Sequence, residues 1–494
     1  MAEAPIKFGN QQATGQETLG GAPGVAVNVV VDDTGTVRRR PGIQAAPGLY
    51  SGVVDASGIS GIYATIGGAT YAVGSTPQFR RIWLMGPTGA TALGAATDDT
   101  TLAGTGRPTF AETQLLLAIA GADKMQKIVL NTNVSSRILD NPPFASHVIA
   151  NSSRLLGNIA AVSATNTFDK SVVRFSDIAN GNASFAGMEV WTEGLGTAGH
   201  FAAEADPDPV LAIAENTNEV FCFGNTSLQV FAPNTSANVL DIYDPSVTRE
   251  LGCQAAYSPV KVNQQFAWLD NLRRIVMSDA RSEQVLSGPI WKDLDDMSVV
   301  TDCFGYRVTD GFLDALVWSF PTDGRTFAFQ QGSGWAEWLS WNSATNNYAP
   351  FTVTASRLAP LSHDVLVGTA DGRVGRFEVD ATTDFGVPIR ASVCSGFQAR
   401  GTNKRKHCKK IRVSLKRGQS FGAVGPQAYI SWRDDLGPYG QPIAIDLGTL
   451  GDTNPVLEFP SLGIYRLRDW KFEFTGIEDL RLVAVEEEFD ILSN

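Results

Sequence analysis

LVWSFPTDGRTFAFQ, residues 316–330, decides how the rest of the chain is read. Aromatic and β-branched residues flank a Pro-Thr-Asp-Gly reversal, in which glycine supplies the positive φ and aspartate the Asx geometry of a tight turn. The flanks fit a pleated, half-buried surface, so the segment reads as a β-hairpin. A hairpin alone is marginal in water and needs a neighbouring sheet.

The same unit recurs along the chain. It appears as IYATIGGATYAVG (62–74), LLLAIAGADKMQKIVL (115–130), EVFCFGNTSLQVFA (219–232), FAWLDNLRRIVMSD (266–279) and VLVGTADGRVGRFE (365–378). A less regular copy, RLLGNIAAVSATNTFDKSVVRFS, fills residues 154–176. Turn centres fall roughly 45 to 58 residues apart, the spacing of four-stranded propeller blades with their loops. Blades bury their faces only against neighbours, so about six or seven of them closed into a ring leave no open edge. A tandem of β-sandwiches gives similar short strands and stays open as an alternative. Sustained 3.6-residue periodicity is nearly absent; one short amphipathic turn is expected near Ser282 to Leu294.

The fold class expected is therefore all-β, a β-propeller-like body with a smaller C-terminal β-sandwich-like domain. Residues 1–24, rich in Gly, Gln and Thr, read as an N-terminal arm. The body spans 25–380, and the hairpin VAVNVVVDDTGTVRRRPG (25–42) is the candidate for closing its ring. Past 381 the texture shifts to KKIRVSLKRG, QAYISWRDDLG and LRLVAVEEEFDIL, so 381–494 reads as the C-terminal β-domain.

Composition narrows the function. The 494 residues are 43% hydrophobic, 9% aromatic and 18% charged, which describes a chain with a large interior. The 49 glycines and 24 prolines serve many tight turns. Lys and Arg total 39 against 51 Asp and Glu, and a net charge of −12 disfavours a dedicated duplex-DNA binder. A conduit is a different matter, because an acidic or neutral wall keeps phosphates from sticking. Cys222, Cys253, Cys303, Cys394 and Cys408 are far apart and lack zinc-ligand spacing, as expected of reduced buried thiols. MAEAPIKFGN has no secretory pattern and no run is long enough to span a bilayer, so folding in the cytoplasm without membrane insertion is expected.

A search for chemistry yields little. His147, His200, His363 and His407 form no HExxH motif and no pair at metal spacing, and read as loop or surface residues. Asp98 with Asp99, Asp295 with Asp296, and Asp434 with Asp435 could supply glycosidase carboxylates, but adjacent strand residues point to opposite faces, so they read as turn formers. DPDP (206–209) lacks the ligand alternation of a calcium loop, and GGAPG (20–24) lacks the residues of a phosphate loop. No catalytic residue, metal or cofactor is assigned. GWAEWLSW carries Trp335, Trp338 and Trp341, read as packing at a blade edge, with an aromatic sugar platform as the alternative.

The main charge feature is KRKHCKKIRVSLKR: Lys404, Arg405, Lys406, Lys409, Lys410, Arg412, Lys416 and Arg417 in an acidic chain. It is the candidate subunit or DNA contact, with a solvated strand face as the plain alternative. Glu486, Glu487 and Glu488 are its expected partners across a subunit boundary.

An ordered series of segments then resembles one family. NVVVDDTGTVRRRPGI (28–43), RLLGN (154–158), VVRFSDI (172–178), ENTNEVFCFGNTSLQVF (215–231) and ELGCQAAYSPVKVNQQFAWLDNLRRIVMS (250–278) lead it. LVWSFPTDGRTFAF (316–329), SWRDDLGPYG (431–440) and LRDWKFEFTGIEDLRLVAVEEEF (467–489) complete it. Together they resemble the tail nozzle, or packaged-DNA stabilisation, proteins of short-tailed bacteriophages. The resemblance implies a structural, non-enzymatic virion protein with a propeller domain. It implies a homomeric, six-fold ring beneath an adaptor or head-to-tail connector, an extended DNA channel with no sequence-specific contact, and surfaces for tail fibres or spikes. A carbohydrate-binding or carbohydrate-processing propeller, or a monomeric propeller binding module, are the alternatives.

Overall fold

The computed structural model describes residues 2–5, 26–32, 34–74, 81–93, 107–121, 124–162, 167–178, 186–234, 243–417, 428–445, 456–477 and 479–492. The strand Leu313–Phe320 pairs on one side with Phe304–Asp310 and on the other with Arg325–Gln330, reversing at Gly324 with φ 66°. Gly334–Glu337 completes a four-stranded blade, because Phe327, Trp318 and Trp335 share an apolar face that water would otherwise cover.

Among the described residues seven such blades follow one another. Blades 1 to 6 occupy residues 59–93, 109–137, 148–202, 210–249, 260–285 and 304–337, and blade 7 occupies 353–378. Each neighbouring pair has its own buried core. Leu117 meets Tyr71 between blades 1 and 2, Phe201 meets Phe231 between 3 and 4, and Phe223 meets Trp268 between 4 and 5. The last such core joins Val374 and Leu366 of blade 7 to Ile59 and Ala72 of blade 1, so the ring closes. Burial of that kind contributes roughly 1.5–3 kcal/mol per large apolar side chain, which is why blades stack instead of standing alone.

The fourth strand of blade 7 comes from the other end of the chain: Gly42–Gln44 lies antiparallel to Val374–Glu378. Gly42 is required there, since a Cβ would sit 2.3 Å from the Thr383 carbonyl oxygen. The expected closure by the hairpin 25–42 is thus corrected. That hairpin, Val29–Val31 with Val37–Arg39, pairs instead with Leu480–Ile491, through Val37 opposite Leu482. Valine side chains at 29 and 37 find their apolar partners in the C-terminal core, and that long-range contact outweighs proximity to blade 7. Ala2–Pro5, inside the expected arm, also lies along Leu480–Ile491. The rest of that arm, with GGAPG, falls outside the described residues, as do Asp98 and Asp99.

The C-terminal body is sandwich-like. Its first sheet orders Val29–Val31, Val37–Arg39, Leu480–Ile491, Lys406–Arg417 and Val456–Pro460; its second orders Ala26–Val27, Ala391–Cys394, Arg468–Phe474, Ala428–Asp434 and Ile443–Ile445. Ile411, Val413, Leu482 and Val485 of the first meet Val393, Ile430, Trp470 and Phe472 of the second in one core. The second sheet runs on into blade 6 where Val27 pairs in parallel with Glu337. Thr383–Asp384 and Val387–Pro388 still belong to the blade 7 sheet, so residue 381 is no clean border. The short helix Trp291–Asp295 overlaps the end of the segment, Ser282 to Leu294, expected to form an amphipathic turn.

Three consecutive arginines rivet these parts together. Arg38, Arg39 and Arg40 are each buried, at 4%, 3% and 0% exposure. Arg38 donates to the Val379 carbonyl (2.8 Å) and pairs with Asp380 (3.2 Å) and Asp479 (3.5 Å). Arg39 donates to the Ile389 (3.2 Å) and Gly476 carbonyls. Arg40 forks onto Asp384 (2.6 and 3.0 Å) and also donates to Asn28 Oδ1 (3.0 Å) and the Leu339 (3.1 Å) and Pro41 (2.9 Å) carbonyls. A buried guanidinium persists only with such satisfaction.

Candidate functional site

The basic run falls on the strand Lys406–Arg417, central in the first sheet. Period-2 alternation sends Ile411, Val413 and Leu415 into the core and leaves Lys410, Arg412 and Ser414 on the outer face. A bulge at Lys409 lets Cys408 and Ile411 both face inward. The residues therefore do not form one patch. Lys406 is buried, donating to the Thr402 (2.8 Å), Lys404 (3.0 Å) and Arg466 (2.6 Å) carbonyls, and burial pulls its pKa down.

The expected cross-subunit pairing with the acidic tail segment is replaced by pairing within the chain. Register sets Lys410 opposite Glu488 and Arg412 opposite Glu486, with Glu458 on the other flank. Arg412 bonds Glu458 (2.9 Å) and Glu486 (3.4 Å), Lys410 reaches Glu488 (3.5 Å) and Glu458 (3.6 Å), and Lys409 holds Asp490 (2.8 Å). The Arg412 hydrogen bond, then the Lys410 charge, hold the Glu458 carboxyl below its usual range. Glu487 turns inward to Arg400 (3.1 Å) and the Tyr465 hydroxyl (2.7 Å). Lys404, Arg405 and Lys416 are exposed.

The other candidates resolve into structure. Trp335 and Trp338 are buried, and Trp341 packs edge-on to Tyr348. Asp208 of DPDP accepts from the Thr226 (2.7 Å) and Ser227 (3.2 Å) N–H groups and fixes the blade 4 turn. Asp434 pairs with Arg468 (2.6 Å), Asp435 accepts from the Arg466 (3.0 Å) and Leu467 (2.9 Å) N–H groups, and Asp295 and Asp296 are exposed at a helix end. All five cysteines are free and buried, and burial pushes the Cys253 thiol up to about 12. Among the described residues no three His, Cys, Asp or Glu side chains are grouped to hold a metal, and no helix is long and apolar enough to cross a membrane.

Sequence reasoning placed nothing on the propeller axis, and side chains meet there. His147, expected in a loop or at the surface, is instead buried at the entry to blade 3, where burial pushes its pKa down to about 4. It stacks on Tyr257 at the entry to blade 5, ring centres 4.8 Å apart. Arg107, entering blade 2, lies 3.5 Å from the ring centre of Phe304 in blade 6. Neither pair belongs to neighbouring blades, so both reach across the axis. A duplex, whose major groove alone is about 12 Å wide, does not pass through that constriction. Arg107 and Phe304 are nearly 200 residues apart in the chain, and no local pattern announces their contact.

Comparisons with known proteins add the following. The Phage_stabilise family model, described as "Bacteriophage P22 Gp10, beta-propeller", matches residues 196–278, which span the last strand of blade 3, all of blade 4 and three strands of blade 5. No curated protein matches the sequence. Among solved structures, a streptogramin B lyase is similar at TM-score 0.42 and 10% identity over 67% of this chain and 98% of its own. The N-terminal domain of Nup159 is similar at TM-score 0.40 and 10% identity, covering 72% and 98%. Virginiamycin B lyase from Staphylococcus aureus is similar at TM-score 0.42 and 8% identity, covering 67% and 98%. Scores and identities this low lend no weight to those proteins' activities here. The family match supports a phage tail-associated structural protein with a propeller body.

Proposed function

We propose that this chain is the tail nozzle subunit of a short-tailed phage, a structural and non-enzymatic virion protein assembling as a homomeric ring below the adaptor. The observation that carries the reading is the family match over blades 3 to 5. Six copies around a common axis extend the DNA channel, and the outer loops carry fibres or spikes. Rings of this kind close because head-to-tail contacts repeat at a fixed angle. The crossed propeller axis means that the conduit is the space between subunits. The acidic balance of −12 favours a wall along which phosphate slides. Among the described side chains of the basic run, Lys404, Arg405 and Lys416 are the ones exposed for a neighbour.

The test is sedimentation of the purified chain with a preassembled portal and adaptor complex, followed by native mass measurement. Stoichiometric binding in a ring is expected. A chain that stays monomeric and unbound on an intact adaptor ring refutes the reading.

A further inference from the structure

Where the axis is crossed, a cavity of about 230 Å³ opens between the first strands of blades 1, 6 and 7 and the segment entering blade 2. Aromatic rings wall it in two touching pairs, Tyr63 with Phe110 at 5.2 Å between ring centres and Phe304 with Tyr306 at 5.9 Å. Both guanidinium groups at the cavity are already engaged. Arg107 lies over the Phe304 ring, and Arg357 lies 4.3 Å from the ring centre of Tyr63 while donating to its hydroxyl at 3.1 Å. Among the described residues no Asp or Glu lines the cavity, so it has no anionic side chain to hold a cation.

What the cavity offers a ligand is a pair of hydroxyls. The Tyr306 hydroxyl and Ser356 Oγ line it, are buried and have no hydrogen-bond partner among the described residues. Tyr306 as a residue is 6% exposed, and burial pushes its pKa far above the usual tyrosine value, so the group is a neutral hydroxyl. Buried hydroxyls are nearly always satisfied, and the space is too large for one water to fill. A hydroxyl both donates and accepts, whereas an ionised carboxylate only accepts. A polyhydroxylated ligand meets both capacities, and its C–H face packs against aromatic walls.

We propose that this cavity binds one pyranose sugar, its hydroxyls exchanging hydrogen bonds with Tyr306 and Ser356 and its apolar face lying against the aromatic rings. Arg357 is exposed, so the cavity reaches solvent on its side. The proposal is independent of the nozzle reading.

Isothermal titration of the full chain with D-glucose, D-galactose, D-mannose and N-acetyl-D-glucosamine, and separately with inorganic phosphate, tests it. Saturable binding of at least one sugar is expected. Tyr306→Phe and Ser356→Ala should each weaken it about fivefold, the worth of one hydrogen bond, and Ser356→Leu, which fills the cavity, should abolish it. Tyr306→Phe removes only an unpartnered hydroxyl and keeps the fold, which circular dichroism checks. Arg412→Gln in the C-terminal sheet should leave binding unchanged. Methyl glycosides that bind as well as the free sugar assign the end of a glycan chain, and loss of binding on capping assigns a free sugar. Binding of phosphate with none of the sugars, no saturable binding of any sugar, or binding that Tyr306→Phe and Ser356→Leu both leave intact overturns the proposal.

Discussion

Replacing Arg40 by methionine should loosen the seam between blade 7 and the C-terminal body far more than removing any surface arginine. The substitution keeps the aliphatic stem and removes the guanidinium, whose carbon lies 4.5 Å from the Phe351 ring centre. Asp384, whose side chain is 12% exposed, loses both guanidinium contacts and keeps the Ile43 N–H (3.2 Å). The Leu339 carbonyl loses its donor as well. Stripping one partner from a buried pair costs about 3–5 kcal/mol, and the orphaned carbonyl is not simply additive with it because they share one network. At about 1.4 kcal/mol per tenfold, protection of Gly42–Gln44 against amide exchange should fall by about a hundredfold to a few thousandfold, read by mass spectrometry of the peptide containing it. Arg40→Met with Asp384→Leu should recover much of the loss, since the isolated charge is gone. Arg412→Met, on a side chain 36% exposed, should leave that protection nearly unchanged, because solvent screens an exposed ion pair. If Arg40→Met changes exchange at 42–44 no more than Arg412→Met does, the seam does not depend on this ion pair.

Three further outcomes are expected. Gly42→Ala should push the closing strand away from Thr383 and expose a new cleavage site near residue 42 in limited proteolysis, with the cut absent in the parent. None of the five thiols should react with a soluble thiol reagent in native buffer and all should react in denaturant; a thiol titrating rapidly in native buffer contradicts the buried placement. Asp279 is held below its ordinary value of 3.8, first by the Ser282 N–H, so its stabilising contribution is present above about pH 4 and disappears as pH falls through the lowered value. The destabilisation caused by Asp279→Ala in urea melts should therefore shrink on acidification into that window, and a penalty constant down to pH 2 rules the mechanism out.

The blades were readable because their hairpins are local. Six of the seven quoted segments became the second and third strands of blades 2 to 7, and 62–74 became the first two of blade 1, since turn chemistry and alternation act within a few residues. Outer strands such as Glu283–Val285 carry no apolar pattern and left no signal. Where the hairpin at 29–39 would dock was not local information: Val37 chooses Leu482 because of a core assembled from the far end of the chain. The basic run misled for a related reason. A one-residue bulge at Lys409 resets the alternation, and the acids that neutralise Lys410 and Arg412 come from strands distant in sequence. The contact of Arg107 with Phe304 left even less signal, because it depends on ring closure.

Both ends of the polypeptide contribute to both bodies, and this sets an order of events during synthesis. The seventh blade lacks its fourth strand until residues 374–378 emerge to meet Gly42–Gln44, and the first C-terminal sheet waits for Leu480–Ile491. At about 5–20 residues per second on the ribosome, the valines at 29–31 and 37 are made tens of seconds before their partners. A nascent chain of this kind keeps those strand edges uncovered until residues 480–491 have been made, and only then can the molecule first lock shut.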